Sequence, residues 1–336
     1  MSFTDYESYI TPELREQLSR AITKAIDLLP GAERGINGPR ERLREYIAKN
    51  SGKQLRPLLV ALATKLLGAT PEQMKIAFIN AASVELLHNM TLLHDDIVDG
   101  APLRRGKPSY HEVHGLSLAL HDGDILHSYA VSYIEHTPSL RLILEISNLV
   151  GKGNNLELEF RLLNKTDFTV KDIIEILRLK TAIVFYGCIA LAGAVTGKEN
   201  ITKPLKEIIE NAGIAFQVQD DILDIVGNQA KFGKVHNWDV QESKRSLFLY
   251  YALQKDNASK LKEIYVKPVG AKTEEDIRFT LAEFSKVVND VIAVRDRYLE
   301  DCLEKLDQII ERSEKKLVPF YEFLKQLIIY ICTREK

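Results

Sequence analysis

Leu92-Leu93-His94-Asp95-Asp96-Ile97-Val98-Asp99 closes a long apolar run on three aspartates, and Gly100, Pro102, Arg104 and Arg105 follow directly. Further along, Val218-Gln219-Asp220-Asp221-Ile222-Leu223-Asp224 repeats the spacing and again precedes a glycine, Gly227. In an α-helix, residues four apart lie about 40° apart around the axis, so Asp95 and Asp99 share a face, as do Asp220 and Asp224. Asp96 and Asp221 flank them. Aspartate is a poor helix former, and in a last turn it meets the negative end of the helix dipole, at a cost of about 0.3–1 kcal/mol each. A hard cation among the carboxylates reverses that balance, and oxygen ligands without cysteine suit Mg²⁺ better than Zn²⁺. A solvated acidic helix end explains one such motif equally well, but the second copy favours the metal.

Upstream of the first motif, Thr70-Pro71-Glu72-Gln73 reads as a capping box with proline inside it, opening a helix that runs to the aspartates. Its apolar residues, among them Ile76, Phe78, Val84, Leu86, Leu87, Met90 and Leu93, cover nearly all faces. Such a helix belongs at the centre of a helical assembly. His88 lies on it two turns before Asp95, where a buried structural histidine is the bland alternative to a functional one. Downstream, Arg104, Arg105 and Lys107 place cations just beyond the carboxylates, an arrangement with room for a polyanion between metal and basic donors. A plain salt-bridge cluster would explain this loop, but not its duplicate.

The rest of the chain reads as helix. Thr11-Pro12 caps a helix with Leu14, Leu18, Ile22 and Ile26 at helical spacing, and a short one is expected near 41–48. Ser51-Gly52-Lys53-Gln54-Leu55-Arg56-Pro57 is a basic turn at a helix entrance, a weak phosphate-binding signal by itself. Thr169 caps a helix that reaches Leu179-Lys180-Thr181, and from Ala182 to Val195 no charge occurs. That stretch falls short of the roughly 20 residues a bilayer span needs, so a buried core helix is expected, led by a Lys180 that requires an anionic partner. Residues 227–239 read as a glycine-containing loop with Lys231, Lys234 and Trp238, followed by Lys244. With no convincing two-residue alternation, the fold expected is all-α, one domain over residues 1–336.

Composition narrows the function. At 336 residues and 45% apolar the chain can bury a large core, and 45 basic residues against 47 acidic ones give no global case for nucleic acid. Cys188, Cys302 and Cys332 are far apart with no metal-ligand spacing and read as core fillers in a reducing compartment. The first residues lack the apolar run of a signal peptide, so a cytoplasmic protein without a stable membrane anchor is expected. Neither a Walker nor a dinucleotide glycine loop occurs, which disfavours ATP and NAD. What remains is an organic diphosphate held by Mg²⁺ between two acidic helices that face each other across a cavity, with diphosphate as leaving group.

At this point the sequence resembles the trans-isoprenyl diphosphate synthases of the polyprenyl synthetase family over nearly its whole length, most of all the geranylgeranyl diphosphate synthases. The resemblance rests on Gly52-Lys53-Gln54-Leu55-Arg56-Pro57, Glu85-Leu86-Leu87-His88, His94 through His111 with Leu103-Arg104-Arg105-Gly106-Lys107-Pro108, Lys180-Thr181, Phe216 through Asp224, Gly233-Lys234, and Asp239 leading to Lys244. It implies an isoprenoid-synthase-type helical bundle around a central cavity. It also implies that Asp95, Asp99 and Asp220 coordinate three Mg²⁺ ions, with Mn²⁺ as a substitute, and that Asp96, Asp221 and Asp224 contribute directly or through water. Arg104, Lys180, Thr181, Gln217, Lys234 and Lys244 would complete the allylic diphosphate site. Lys53, Arg56, His88 and Arg105 would bind isopentenyl diphosphate. In the implied reaction the allylic C–O bond ionises, the double bond of isopentenyl diphosphate attacks head-to-tail, and a proton leaves, with no covalent enzyme intermediate.

Two departures from the family pattern stand out: Gly153-Asn154 where Gly-Gln is frequent, with Glu157 as the following acid, and Ser246 where threonine is common. No aspartate ligand departs, so an active enzyme and not a silent subunit is expected. Product length would be set by Thr91, Met90, Leu87 and Val84, in the turns before Asp95. None is aromatic, which disfavours farnesyl diphosphate and favours geranylgeranyl diphosphate (C20), with C25 or longer as the alternative. A class I terpene cyclase is a second alternative, but it carries an Asn/Asp, Ser/Thr, Glu motif where this chain has Asp220 to Asp224. A homodimer is implied as well.

Overall fold

The computed structural model describes residues 6–32, 38–50, 52–226 and 238–334. In chain order the helices are α1 Pro12–Asp27, α2 Pro39–Lys49, α3 Leu55–Leu66, α4 Pro71–Val98, α5 Tyr110–His114, α6 Leu116–Ser132, α7 Thr137–Leu162 and α8 Val170–Leu177. A π-helical turn, Arg178–Ala182, then leads into α9 Ile183–Thr196. They continue as α10 Glu199–Thr202, α11 Lys206–Val226, α12 Trp238–Gln241, α13 Leu247–Ala252, α14 Ala258–Tyr265, α15 Glu274–Ser285, α16 Val288–Arg312 and α17 Val318–Thr333. The expected all-α fold is what the structure shows. The helix starts follow the capping chemistry: Thr11 accepts from Leu14 N–H, and at Thr70 and Gln73 the two side chains and two backbone N–H groups pair reciprocally at 3.3 and 2.9 Å.

Two compact units are present, Met1–Ile146 with Val184–Lys206 and Ser313–Leu324, and Ser147–Ile183 with Glu207–Arg312 and Lys325–Lys336. In the first unit α4 packs against α1, α3 and α6. Its partners approach closely because α4 offers small residues, Ala77, Ala81 and Ala82, which are fully buried beside Leu86 and Leu93. In the second unit α13 packs against α8, α15 and α16. Phe248 and Phe284 stack there with centroids 5.5 Å apart, amid Ile176, Ile222, Leu249 and Val291. Each buried aliphatic or aromatic side chain of this kind contributes about 1.5–3 kcal/mol.

Two helices, Pro71–Val98 and the run Val170–Thr196, are long and apolar enough to cross a membrane by length and composition alone. Most of each apolar window is buried within the protein, as the reading of Ala182–Val195 as a core helix expects. The three cysteines are buried and unpaired with one another. One short strand pair accompanies the helices: Leu103–Arg104 and Lys107–Pro108 form an antiparallel pair, Leu103 opposite Pro108 and Arg104 opposite Lys107. Both turn residues, Arg105 and Gly106, have positive φ, as a tight two-residue hairpin demands. Two residues per strand are too few for alternation to be visible in the sequence.

Candidate active site

α4 ends in a Schellman arrangement. Gly100 takes φ +59 and Ala101 N–H returns to Asp96 O at 2.9 Å, which stops the helix and turns the chain into the hairpin. Asp95 and Asp99 are half-buried on one face, whereas Asp96 is wholly buried. Asp96 Oδ1 accepts from Arg104 Nε at 2.9 Å and from Arg104 Nη2 as well. Burial disfavours the Arg104 charge, but the hydrogen bond and the negative charge of Asp96 outweigh it and hold the guanidinium above its usual value. The next residue, Arg105, lies in the hairpin bend and turns toward Gly52, where a β-carbon would stand 2.9 Å from its guanidinium nitrogens. Adjacent arginines are thus sent to different neighbours by one left-handed turn.

Arg56, near the start of α3, lies with its Nη1 3.3 Å from His88 Nε2 and its guanidinium 5.4 Å from the centre of the Phe185 ring. Burial, and then the charges of Arg56, Arg105 and Arg104, push the His88 imidazole well below its ordinary value and keep it neutral. Glu85, one turn earlier on α4, is 5% exposed, and burial raises its carboxyl. Asn89 Nδ2 donates to it at 3.2 Å. His88, Arg56 and Arg105 are therefore brought into one basic cluster. Lys53 is exposed on the turn before α3. Of the product-length candidates, Val84 is buried, while Leu87, Met90 and Thr91 are half-buried. Thr91 Oγ1 donates to His88 O at 2.8 Å along its own helix.

The second unit repeats the acidic pattern. Asp220 and Asp224 are half-buried and Asp221 is buried, as for Asp95, Asp99 and Asp96. The buried aspartate again holds a cation: Lys244 Nζ donates to Asp221 Oδ1 at 3.0 Å and to Asp239 Oδ2 at 2.8 Å. Burial opposes the Lys244 charge, and the carboxylates of Asp221, Asp239 and Glu157 overcome it, so Lys244 stays protonated far into the alkaline range. Gln217 Nε2 donates to Asp221 at 3.2 Å, and Thr181 Oγ1 donates to Gln217 Oε1 at 3.1 Å. Lys180 has the anionic partner its burial requires, Glu157 Oε2 at 2.7 Å. Burial raises the Glu157 carboxyl, but Lys180 and Lys244 together hold it below its usual range.

The π turn is what aims Lys180 and Thr181. Its wider i→i+5 winding interrupts the helical run between α8 and α9, and Gly153 on α7 lets that bulge approach. A β-carbon at Gly153 would stand 2.9 Å from the Lys180 backbone nitrogen. The predicted Lys234 lies outside the described residues. Sequence reasoning did not find Phe185, Asp239 or Arg334 as partners. Arg334 pairs with Asp220, lies 4.6 Å over the Phe216 ring, and accepts through its carbonyl from Gln219 Nε2 at 2.8 Å. The five-residue spacing from Asp239 to Lys244 around a helix end was the one local signal available.

The chain has counterparts among known proteins. The polyprenyl synthetase model matches residues 40–283, and the chain belongs to that family. It is 30% identical to a geranylgeranyl diphosphate synthase of Methanosarcina mazei, covering 97% of this chain and 98% of that protein. A geranylfarnesyl diphosphate synthase of Aeropyrum pernix is 29% identical over 87% of this chain and 93% of its own length. Among solved structures, a polyprenyl synthase from Caulobacter crescentus, complexed with calcium and isoprenyl diphosphate, superposes with a TM-score of 0.82 at 26% identity, covering 96% and 95% of the two chains. The fold is that of the isoprenoid synthases, and the protein is a prenyltransferase of the trans-isoprenyl diphosphate synthase type.

Proposed function

We propose that the chain, acting as one catalytic domain over residues 1–336, condenses isopentenyl diphosphate head-to-tail with allylic diphosphates and stops at geranylgeranyl diphosphate. The observation that carries this is the shared design of the two aspartate motifs. In both, the first and fifth positions share an accessible face while the second is buried against Arg104 or Lys244. Among the described residues no three carboxylate, histidine or cysteine groups converge as a ready-made metal cage. Mg²⁺ takes one or two carboxylates and completes its shell with water and phosphate oxygens. The donor set fits: Asp95, Asp99 and Asp220 would hold the ions, three per site, with Asp96, Asp221 and Asp224 contributing directly or through water. Bound divalent ions supply charge neutralisation for the leaving diphosphate.

The protein's own groups do the rest. Arg104, Lys180 and Lys244, with Thr181 and Gln217, grip the allylic diphosphate and stabilise its negative charge as the C–O bond breaks. Lys53, Arg56, Arg105 and His88 hold the isopentenyl diphosphate so that its double bond faces the forming allylic cation. One C–C bond forms, and the proton released from the adjacent carbon leaves with the departing diphosphate. A neutral His88 donates a hydrogen bond without adding a third charge beside Arg56 and Arg105. Lys234 completes the allylic site in this reading. The absence of an aromatic residue at Val84, Leu87, Met90 or Thr91 supports a product longer than farnesyl diphosphate. The flexible Met90 and the geranylfarnesyl relative favour C25 as the second reading. The enzyme works as a cytoplasmic homodimer in this proposal, which the exposed Val113, Leu116 and Leu120 support.

The test is incubation of purified protein with Mg²⁺, isopentenyl diphosphate and dimethylallyl, geranyl or farnesyl diphosphate, with products identified by mass. Longer prenyl diphosphates are expected, and EDTA, Asp95→Ala or Asp220→Ala should abolish them without loss of helical signal. Turnover in EDTA, or no condensation with any primer, would overturn the reading.

A further inference from the structure

Lys244 stands directly after a backbone anomaly. The short helix α12 ends with Lys244 N–H returning to Asp239 O at 2.9 Å, which forces Ser243 into the left-handed region at φ +62. Glycine fills that position in most helix ends of this kind, because a β-carbon crowds the neighbouring carbonyl there. Ser243 is 4% exposed and cannot relax into solvent. What meets it is a lysine from elsewhere in the chain. Lys272, immediately before the cap of α15, is 5% exposed and donates from Nζ to Ser243 Oγ at 2.6 Å and to Gln241 O at 2.8 Å. Both acceptors belong to the turn. A long lysine side chain buried against one turn is an expensive way to fill space, since lysine loses more rotamer freedom on burial than almost any residue.

We propose that Lys272 is a positioning residue for Lys244, clamping the left-handed turn at Ser243 so that the Lys244 ammonium is aimed at the allylic diphosphate. The proposal rests on the assignment of Lys244 to that diphosphate. The groups around Lys272 are Arg245 and Glu242 on the turn, Lys267 and Asp276, which pair with each other at 2.6 Å, and the Tyr265 ring, 5.9 Å away. Burial first, and then the Arg245 charge, lower the Lys272 ammonium to about 8. Its charge-assisted grip on the turn is therefore complete below that pH and weakens above it, in a range where Lys244 itself does not titrate.

Steady-state kinetics of the full-length enzyme with Mg²⁺ test this. Lys272→Met should raise KM for geranyl diphosphate about tenfold at neutral pH and leave KM for isopentenyl diphosphate unchanged, the size expected for one lost charged hydrogen bond. Ser243→Gly removes the need for a clamp, so Ser243→Gly/Lys272→Met should recover most of the loss. In the wild type, KM for geranyl diphosphate should climb as pH passes about 8, and Ser243→Gly should flatten that rise. A Lys272→Met enzyme with unchanged KM, or a double variant as impaired as the single one, overturns the proposal. Should Lys272→Met fail to give a normal melting curve, the pH profiles of wild type and Ser243→Gly decide, and identical profiles overturn it. Lys244→Met separates the two layers. If it leaves KM for geranyl diphosphate alone, the assignment of Lys244 falls and takes the clamp's role with it; if it raises KM while Lys272→Met does not, only the clamp falls.

Discussion

Replacing Gly153 by alanine adds one methyl group where α7 passes the π turn. On the present backbone that carbon lies 2.8 Å from Leu179 Cβ, 2.9 Å from the Lys180 nitrogen and 3.1 Å from the Leu179 carbonyl carbon. Carbon atoms in contact settle at about 3.5–4.0 Å, so the two segments must part by roughly 0.7–1.2 Å. Two terms oppose each other in stability. Overpacking costs about 1–3 kcal/mol, and alanine in place of a helical glycine returns about 0.8–1.0 kcal/mol. The net loss is about 0–2 kcal/mol, a drop of a few degrees at most in melting temperature. Geometry is less forgiving. Thr181 bonds to Gln217 at 3.1 Å and Lys180 to Glu157 at 2.7 Å, and a shift of that size takes at least the first out of range. Misplacing binding groups by about 1 Å can cost about a hundredfold, so kcat/KM for the allylic substrate should fall about 10- to 100-fold. Labelled isopentenyl diphosphate incorporation, measured beside a melting curve, checks both numbers. Unchanged kcat/KM in a Gly153→Ala enzyme would refute the reasoning, because it would mean that the helices part without moving Lys180 and Thr181.

Other expectations follow from the same geometry. Met90→Phe should shorten the product toward farnesyl diphosphate, read by mass analysis, and an unchanged product spectrum would show that α4 does not set the limit at that residue. Phe185→Leu removes the ring beneath Arg56 and should raise KM for isopentenyl diphosphate about two- to fivefold, since a cation–π contact at a partly exposed site contributes about 0.5–1 kcal/mol. His88 is held below its ordinary 6.5, so on acidification the unfolded chain takes up the proton before the folded one. The stability this provides is complete above about 6.5 and is lost as pH falls below it. Melting temperature should therefore drop less between neutral and mildly acidic pH in His88→Asn than in the wild type, and an equal drop would place the proton uptake elsewhere.

Much of the fold was legible because it is written in short-range chemistry. Thr11, Thr70, Thr169 and Thr273 each announce a helix start through their own side chains, and each cap is present. The faces of α4 and α11 follow from period alone, which is why the exposure of Asp95, Asp99, Asp220 and Asp224 could be anticipated. Lys180 was recognisable as a residue in need of an anion, and Glu157 is that anion. The π turn around it was not recognisable, since Arg178–Ala182 carries no proline, glycine or other breaker and its winding answers to packing against Gly153. Nor were Phe185 under Arg56 and Arg334 on Asp220, because partners separated by more than a hundred residues leave no local trace. Ser243 gave no warning of positive φ, as serine is not a residue that ordinarily signals it.

The π turn also sets a rule about counting. A wider turn holds one residue more than an α-helix would place over the same rise, so the stretch Arg178–Ala182 is defined by how many residues it contains as much as by which they are. Substitutions there change one side chain at a time. Deleting a single residue ahead of Lys180 would instead swing Lys180 and Thr181 together by about 100° around the axis and draw them back by about 1.5 Å, away from Glu157 and Gln217 at once. Variation in this segment should therefore run through exchange of residues and not through loss of them.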